Sequence, residues 1–207
     1  MDMDIQTVLV KATEARQGNK PKFDEGHVIM SIIYIDELQP IGRITLMKKM
    51  ELHEASMKTL LKRLKELNII TTDPIGGNTL TEIGKRIASC IKNNSIIKTT
   101  FLKSLNWNST MIVIRKGAEI LEIIPVLKLR DEIIRLGVEK VLICTYINGK
   151  IEIPPKTEEM SLKGLLEEIM ENCSNCSEND MIIFITPNDI HLAYLVLAYL
   201  FKVLKRC

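Results

Sequence analysis

The sequence of 207 residues has few aromatic residues, few histidines and no long apolar run. Aromatic residues make up only 4% of it, so the cores must be built from aliphatic side chains, isoleucine above all. The longest apolar run, residues 192–201, is about half of the roughly 20 residues that a membrane-spanning helix needs. The first residues also lack the pattern of a secretory signal. We therefore expect a soluble, cytoplasmic protein with no membrane segment.

The sequence also lacks the common signatures of catalysis and cofactor binding. Its three histidines, His27, His53 and His191, are isolated from one another along the chain. No Ser-His-Asp or Cys-His arrangement stands out, and neither a Walker A loop nor a dinucleotide-binding fingerprint occurs. We therefore predict that the protein is not an enzyme and that it has no cofactor.

Cysteine is sparse and unevenly placed. Cys173 and Cys176 form a CxxC pair, but a zinc site needs a second pair of ligands, and no histidine lies nearby. The other three cysteines, Cys90, Cys144 and Cys207, are scattered along the chain. The pattern predicts no metal site and no obligatory disulfide framework, with the CxxC thiols reduced or only facultatively paired. Redox sensing by this pair is the alternative interpretation.

Positive charge is concentrated in the first half of the chain. Residues 1–105 contain 16 Lys and Arg against 12 Asp and Glu, a net charge of +4. Residues 106–207 contain 12 and 14, a net charge of −2. The length exceeds the roughly 100–150 residues of a usual domain, so we place a domain boundary here, between residues 1–105 and residues 106–207.

The most informative segment is an amphipathic helix predicted over residues 53–68. Its apolar residues recur at intervals of three and four and form one stripe: Met57, Leu60, Leu61, Leu64 and Leu67. Its other faces carry polar and basic residues: Ser56, Lys58, Thr59, Lys62 and Arg63. Side chains of these types can contact DNA phosphates and base edges.

The segments around this helix predict further helices and a hairpin. Upstream, Asp24 caps a helix that ends before Pro40, and residues 41–50 form a shorter helix. Downstream, residues 69–80 form a hairpin, and Thr81 caps a last helix that extends to about residue 93. The turn of the hairpin is made by three residues that tolerate positive φ or a tight bend: Gly76, Gly77 and Asn78. This order of elements is typical of a winged helix-turn-helix, with the hairpin as its wing.

The strings IGRITLMKKMEL, LLKRLKELNII and LTEIGKRI resemble the winged-helix domain of many prokaryotic transcription regulators. The later strings LRDEIIRLG, YINGKIEIP and ENDMIIFI resemble an α+β domain of unknown function that follows the winged helix in a group of archaeal proteins. The resemblance extends from about residue 20 to the end of the chain. It implies a DNA-binding first domain and leaves the role of the second domain open.

The second half of the chain predicts a small α+β domain. Strands are expected at residues 111–115, 140–147, 150–153 and 181–186, and helices at residues 126–136, 161–171 and 189–205, the second of these capped by Ser161. Asn148 and Gly149 suit the tight turn between two of the strands. We expect helices packed on one face of a mainly antiparallel sheet. Arg130 and Asp131 are interpreted as a charged pair on an exposed helix face, with small-molecule binding as the alternative.

If residues 1–105 form a winged helix-turn-helix, the helix over residues 53–68 is its recognition helix, and the expected contacts with double-stranded DNA follow. On the recognition helix they are Ser56, Lys58, Thr59, Lys62 and Arg63, and on the preceding helix they are Arg43, Thr45 and Lys48, which suit phosphates. Residues 69–81 contain no lysine or arginine. We therefore expect the wing to contribute backbone contacts only, or none.

We predict a DNA-binding transcription regulator that reads duplex DNA with the helix over residues 53–68. Its second domain would dimerise, sense a small-molecule effector, or both. The last helix is apolar nearly all round, which predicts either a central core helix or a helix packed against its twin in a homodimer. The alternative function is a winged-helix protein-interaction module of a larger complex, without sequence-specific DNA binding.

Overall fold

The structure is a computed structural model that describes residues 4–155 and 162–207. It has an α+β fold with antiparallel sheets, as the sequence predicts. The chain divides into two compact units: unit 1 comprises Met1–Lys92 and Leu197–Cys207, and unit 2 comprises Asn93–Val196. Within the described residues, no helix has both the length and the apolar character that crossing a membrane requires.

Unit 1 begins with helices and ends with a hairpin and a further helix. The elements are α1 (Ile5–Thr13), α2 (Glu25–Leu38), α3 (Arg43–Met50), α4 (Glu54–Glu66), β1 (Ile70–Asp73), β2 (Gly77–Leu80) and α5 (Glu82–Asn94). All except α1 are predicted from the sequence, with bounds that agree to within about two residues. α1 was not predicted; Asp4 caps it, and it buries Ile5, Val8, Leu9 and Ala12.

Local capping interactions explain where the predicted helices of unit 1 begin and end. The side chain of Asp24 accepts a hydrogen bond from the backbone N–H of His27 at 3.1 Å and so caps α2. α2 ends before Pro40, which has no N–H to continue the helix. The hydroxyl of Thr81 accepts from the backbone N–H of Gly84 at 3.1 Å and caps α5. The apolar stripe of α4 lies in the core, as predicted.

The hairpin of β1 and β2 is extended by one further backbone segment. β1 and β2 pair from Ile70 opposite Leu80 to Asp73 opposite Gly77. Ile41, just before α3, forms an isolated bridge with Asn78 of β2 through N–H···O contacts of 3.0 and 2.9 Å. The segment between α2 and α3 is therefore fastened to the hairpin.

Unit 2 contains a five-stranded antiparallel sheet of order β3-β4-β7-β5-β6. Its strands are β3 (Ser95–Leu102), β4 (Trp107–Ile114), β5 (Lys140–Ile147), β6 (Lys150–Glu152) and β7 (Met181–Thr186). The helices in this part of the chain are α6 (Ile120–Ile123), α7 (Val126–Arg135), α8 (Lys163–Asn172) and α9 (Ile190–Leu204), and residues 197–204 of α9 belong to unit 1. Short 3-10 turns cover Lys103–Leu105 and Gly117–Glu119. The expected cap of α8, Ser161, lies outside the described residues.

Strand β3 changes the expected division of the chain. It was not predicted, and it pairs along its whole length with β4, from Ser95 opposite Ile114 to Leu102 opposite Trp107. The expected boundary after residue 105 falls inside this hairpin. A cut there would separate two strands that share eight residue pairs, so the boundary lies before β3, near residues 92 and 93.

Both faces of the sheet are buried along its central strands, β4 and β7, whereas the sequence predicts helices on one face. α8 packs on the face that carries Val113, Cys144, Ile182 and Phe184. The alternate residues point to the opposite face and are also buried: Ile112, Ile114, Ile143, Ile183 and Ile185. The continuous apolar run of β7 is the sequence signal for this arrangement, because a strand exposed on one face alternates apolar with polar residues.

The apolar helix α9 is a buried core helix within the single chain. Ala193, Val196, Leu197, Leu200 and Phe201 are each fully buried. This observation agrees with the first of the two interpretations of that helix, a central core helix. A homodimer stays a prediction.

Four of the five cysteines are paired; the pair of Cys90 and Cys207 was not expected, whereas pairing of Cys173 and Cys176 is one of the two expected states. Cys90 and Cys207 form a disulfide, and so do Cys173 and Cys176. Cys90 lies in α5 and Cys207 at the C-terminal end. Because they are far apart in the sequence, only the fold shows that they are paired. Cys144 is a free and buried thiol, and burial raises its pKa.

Candidate nucleic-acid interface

A groove of about 530 Å³ lies between α4 and the β1-β2 hairpin. We call it the hairpin groove. Four basic residues line it: Arg43, Lys58, Lys62 and Lys65. The hairpin side is formed by residues 72–78 and carries one charged group, Asp73. The groove therefore has a basic helical wall and a nearly neutral hairpin wall.

The helical wall is partly balanced by one carboxylate. The Oε1 atom of Glu54 lies 2.9 Å from Nζ of Lys58 and 3.2 Å from Nη2 of Arg43. The hydrogen bond from Lys58, with the charges of Lys58 and Arg43, lowers the pKa of Glu54. Lys62 is 77% exposed and lies 3.9 Å from Glu66, at the limit of an ion pair. Lys62 and Lys65 thus carry most of the uncompensated charge of this wall.

The other predicted DNA contacts on α3 and α4 differ in how far their side chains are exposed to solvent. Thr45 and Lys48 lie exposed on α3, as expected. Thr59 is half-buried, and its hydroxyl donates a hydrogen bond to the carbonyl oxygen of Ala55 at 2.9 Å. Ser56 is only 8% exposed, so its placement on the outer face of the helix was wrong.

Arg63 is also buried, contrary to the expectation that it faces DNA. Its Nη1 atom donates to the carbonyl oxygens of Ala12 and Glu14 at 2.7 Å each. The guanidinium lies 5.8 Å from the centre of the Phe23 ring, and burial lowers its pKa. α1 covers the side of α4 that carries Arg63. Because α1 was not predicted, nothing in the sequence indicated that this side is buried.

The hairpin turn is held by its own hydrogen bonds. Oδ1 of Asp73 accepts from the backbone N–H groups of Ile75 and Gly76 at 2.8 and 2.6 Å, which lowers the pKa of Asp73. Ile75, at the tip, is fully exposed. Gly76 is exposed, as a wing contact requires.

Two of the expected wing residues hold the hairpin rather than face outward. Gly77 has a φ of +98°, and a Cβ there would lie 2.8 Å from the carbonyl carbon and oxygen of Ile41. Asn78 is 2% exposed, and its Nδ2 donates to the carbonyl oxygen of Ile41 at 2.9 Å. Both residues therefore fix the bridge between the hairpin and the segment before α3.

Sequence reasoning missed a second group of basic residues beside α4. The loop between α1 and α2 forms a concavity of about 290 Å³ against α4. Its loop side includes Arg16, Lys20 and Lys22, and its helix side includes Ser56 and Thr59. The sequence signal for this group is the presence of three basic residues within seven positions, Arg16 to Lys22.

Comparison with known proteins gives a fold and no function. Residues 105–204, nearly half of the chain, match the family model of a domain of unknown function (DUF4443). The structure is similar to that of hypothetical protein PH0730 from Pyrococcus horikoshii OT3. The TM-score is 0.67 and the sequence identity 22%, over 89% of this chain and 94% of that chain. No curated protein matches the chain. The likeness to this structure shows the fold of the chain.

The expected charged pair in unit 2 is present. Nη2 of Arg130 lies 3.0 Å from Oδ1 of Asp131, and each side chain is about half exposed. Beside Arg130, a cavity of about 140 Å³ is lined mainly by apolar residues of α7 and β5. That volume is below the roughly 300–1,000 Å³ of common small-molecule sites. An effector of unit 2 stays a prediction.

Proposed function

We propose that unit 1 binds duplex DNA as a winged helix-turn-helix and that the protein regulates transcription. In this proposal, α3 and α4 form the helix-turn-helix, α2 supports them, and β1 and β2 form the wing. The order of these elements supports the assignment. The bridge between Ile41 and Asn78 supports it further, because it ties the start of the helix-turn-helix to the wing.

The observation that carries the proposal is the row of lysines along α4. Lys58, Lys62 and Lys65 follow one another at intervals of four and three, so they share one face of the helix. All three are exposed and line the hairpin groove. A helix with its side chains is about 10–12 Å across and fits the major groove of DNA, which is about 12 Å wide. A phosphate backbone would then lie along the hairpin groove.

We assign DNA contacts only to side chains that are not buried. Lys62 and Lys65 would contact phosphates, and Lys58 and Thr59 lie nearest the start of α4, where base edges are usually read. Arg43 is the first residue of α3, where free backbone N–H groups also favour a phosphate. Thr45 and Lys48 remain proposed phosphate contacts. Ser56 and Arg63 are withdrawn from the set because both are buried.

Salt-dependent binding to a fluorescent duplex of mixed sequence tests the proposal. Wild-type protein should bind, with an affinity that falls as the salt concentration rises. The double variant Lys62→Gln, Lys65→Gln should lose about 1.8 units of the slope of log K against log salt, about 0.9 per phosphate contact. The matched control is Lys128→Gln, Lys150→Gln in unit 2, which removes the same charge and should keep the slope. Absence of salt-dependent binding by the wild type would refute the proposal.

Regulation requires site selection in addition to binding. Enrichment from a random duplex pool should yield a common sequence that binds at least about 1,000-fold more tightly than mixed-sequence DNA. An operator read by a homodimer should contain two half-sites about 34 Å apart. A pool that stays random after enrichment would count against a transcription regulator and leave a non-specific DNA-binding protein.

A protein-interaction module is the second candidate, and the hairpin favours it. The wing carries no lysine or arginine, and its tip presents Ile75 fully exposed beside Pro74. An apolar tip suits a protein partner better than the negative potential of a DNA groove. If this candidate is right, the wild type shows no salt-dependent duplex binding. In addition, an Ile75→Ser variant loses a protein partner that the wild type retains.

A further inference from the structure

The loop concavity beside α4 lies outside the proposed winged helix-turn-helix. It is formed by residues 16–23 of the segment between α1 and α2, on one side, and by Ala55, Ser56 and Thr59 on the other. We call it the loop groove. The hairpin groove is lined by other residues of the same helix, Lys58, Leu61, Lys62 and Lys65. α4 therefore has a basic concavity along each of two faces.

The loop is held in place by backbone and side-chain contacts. Arg16 and Asn19 exchange backbone hydrogen bonds of 3.1 and 3.0 Å across a two-residue turn. The turn residues, Gln17 and Gly18, have φ values of +51° and +78°, as a tight type I′ turn requires. Such a turn fixes the backbone just before Lys20 and Lys22, which lowers the cost of ordering the loop on binding.

The same loop is also attached to α4. Nη1 of Arg16 lies 2.6 Å from Oε2 of Glu66, near the end of α4. Arg63 of α4 holds the carbonyl oxygens at the end of α1, just before the loop begins. The rim of the loop groove is therefore fixed relative to the proposed recognition helix.

Two lysines of this rim have free charge. Lys20 and Lys22 are exposed, and neither forms an ion pair or hydrogen bond with another residue that the structure describes. Arg16 differs, since Glu66 and Glu14 already balance it. An anion that enters the loop groove would thus meet Lys20 and Lys22 first.

We propose that the loop groove binds phosphates of the second DNA strand when α4 lies in the major groove. The inference rests on the proposed DNA binding of unit 1. A helix about as wide as the major groove has one phosphate backbone on each side. Lys62 and Lys65 face one backbone in the hairpin groove, and Lys20 and Lys22 face the other in the loop groove.

The test compares two double variants of the full chain on one duplex. Lys20→Gln, Lys22→Gln removes the charge of the loop groove, and Lys62→Gln, Lys65→Gln removes the charge that faces phosphates in the hairpin groove. Each should lower the salt slope by about 1.8 units. Lys128→Gln, Lys150→Gln again serves as the control. All of these side chains are exposed, so the fold should persist, and circular dichroism checks it.

Ethylation interference, scored separately on each strand of a selected duplex, supplies the geometric readout. The loop-groove variant should lose interference on one strand, and the hairpin-groove variant on the opposite strand. A loop-groove variant with the wild-type slope overturns this inference and leaves the proposed function intact. Loss on the same strand in both variants also overturns it. Failure of the wild type to bind any duplex overturns the proposed function instead.

Discussion

Nη1 of Arg63, on α4, lies 2.7 Å from the carbonyl oxygen of Ala12, in the last turn of α1. The same nitrogen lies 2.7 Å from the carbonyl oxygen of Glu14, just past the end of that helix. The last carbonyl groups of a helix have no partner within it, so a buried arginine that meets them stabilises the join. Arg63 thus holds α1 against α4 and positions the loop that follows.

Replacing Arg63 should therefore change stability. Arg63→Ala leaves two carbonyl oxygens without their donor, and we expect a loss of about 2–3 kcal/mol in the free energy of unfolding. Urea denaturation of the full chain measures it. Lys62→Ala, at the exposed neighbouring position, is the control and should have little effect. If the Arg63→Ala variant keeps full stability but its DNA binding depends less steeply on salt, Arg63 contacts DNA after all.

Gly77 should be intolerant of a side chain. Its φ of +98° disfavours other residues, and a Cβ would lie 2.8 Å from the carbonyl group of Ile41. Gly77→Ala should weaken the bridge between Ile41 and Asn78 and cost about 2 kcal/mol or more. Hydrogen exchange at the amides of Ile41 and Asn78 measures the opening of this bridge. The comparison variant is Gly42→Ala, where a Cβ meets open space, and protection there should stay near the wild-type level.

Asp180 should be essential to the stability of unit 2. Its carboxylate is 1% exposed and accepts from Arg115 Nη1 at 2.6 Å and from the backbone N–H groups of Lys116 and Ser177 at 2.9 and 2.8 Å. Asp180→Ala would leave buried donors unpaired and should cost about 3–5 kcal/mol in urea denaturation. Asp131→Ala breaks only an exposed pair and should cost less than about 1 kcal/mol. Equal effects of the two substitutions would contradict the role assigned to Asp180.

Thiol titration should distinguish the cysteines. Without reductant, the native chain should show no reactive thiol, because Cys144 is buried and burial raises its pKa. The unfolded, unreduced chain should show one thiol and the reduced chain all five. Five thiols in the unfolded chain before reduction would contradict both pairings.

The two disulfides should also differ in their effect on stability. Cys90 and Cys207 are 117 positions apart, so their link restricts the unfolded chain strongly. Cys90→Ser should lower the free energy of unfolding by about 2–5 kcal/mol. Cys176→Ser opens a link between residues only three positions apart, and we expect a smaller loss in the same denaturation experiment.

Glu54 should weaken DNA binding, because its negative charge repels phosphates and competes with them for Lys58 and Arg43. Glu54→Gln should raise duplex affinity by about two- to fivefold in an anisotropy titration. Because its pKa is lowered, the carboxylate of Glu54 stays ionised as the pH falls toward the acidic range. The gain should therefore be the same at about pH 6 and about pH 8. A gain that appears only at high pH would point to another titrating group.

Most of unit 1 could be predicted because its signals are local. Asp24, Pro40 and Thr81 mark the ends of helices through contacts within a few residues of the chain. α1 and β3 were missed for different reasons. α1 is a short helix stabilised by what it packs against. β3 follows α5 directly, so no loop separates the helix from the strand.

The candidate site was predicted in part. Arg43, Lys58 and Lys62 lie exposed where helical spacing placed them. The same spacing placed Arg63 outside, yet it is buried. Lys20 and Lys22 were not considered, because the loop that carries them reaches α4 only through the fold.

Helical periodicity, caps and turn residues were enough to identify α2 to α5, the hairpin and a basic face of α4. These features depend on residues a few positions apart, and the chain encodes them directly. The tertiary structure alone decided that Arg63 holds α1 and that the loop with Lys20 and Lys22 forms a second basic groove beside α4. A sequence period gives the direction of a side chain about its own helix, whereas burial depends on which distant segment covers it.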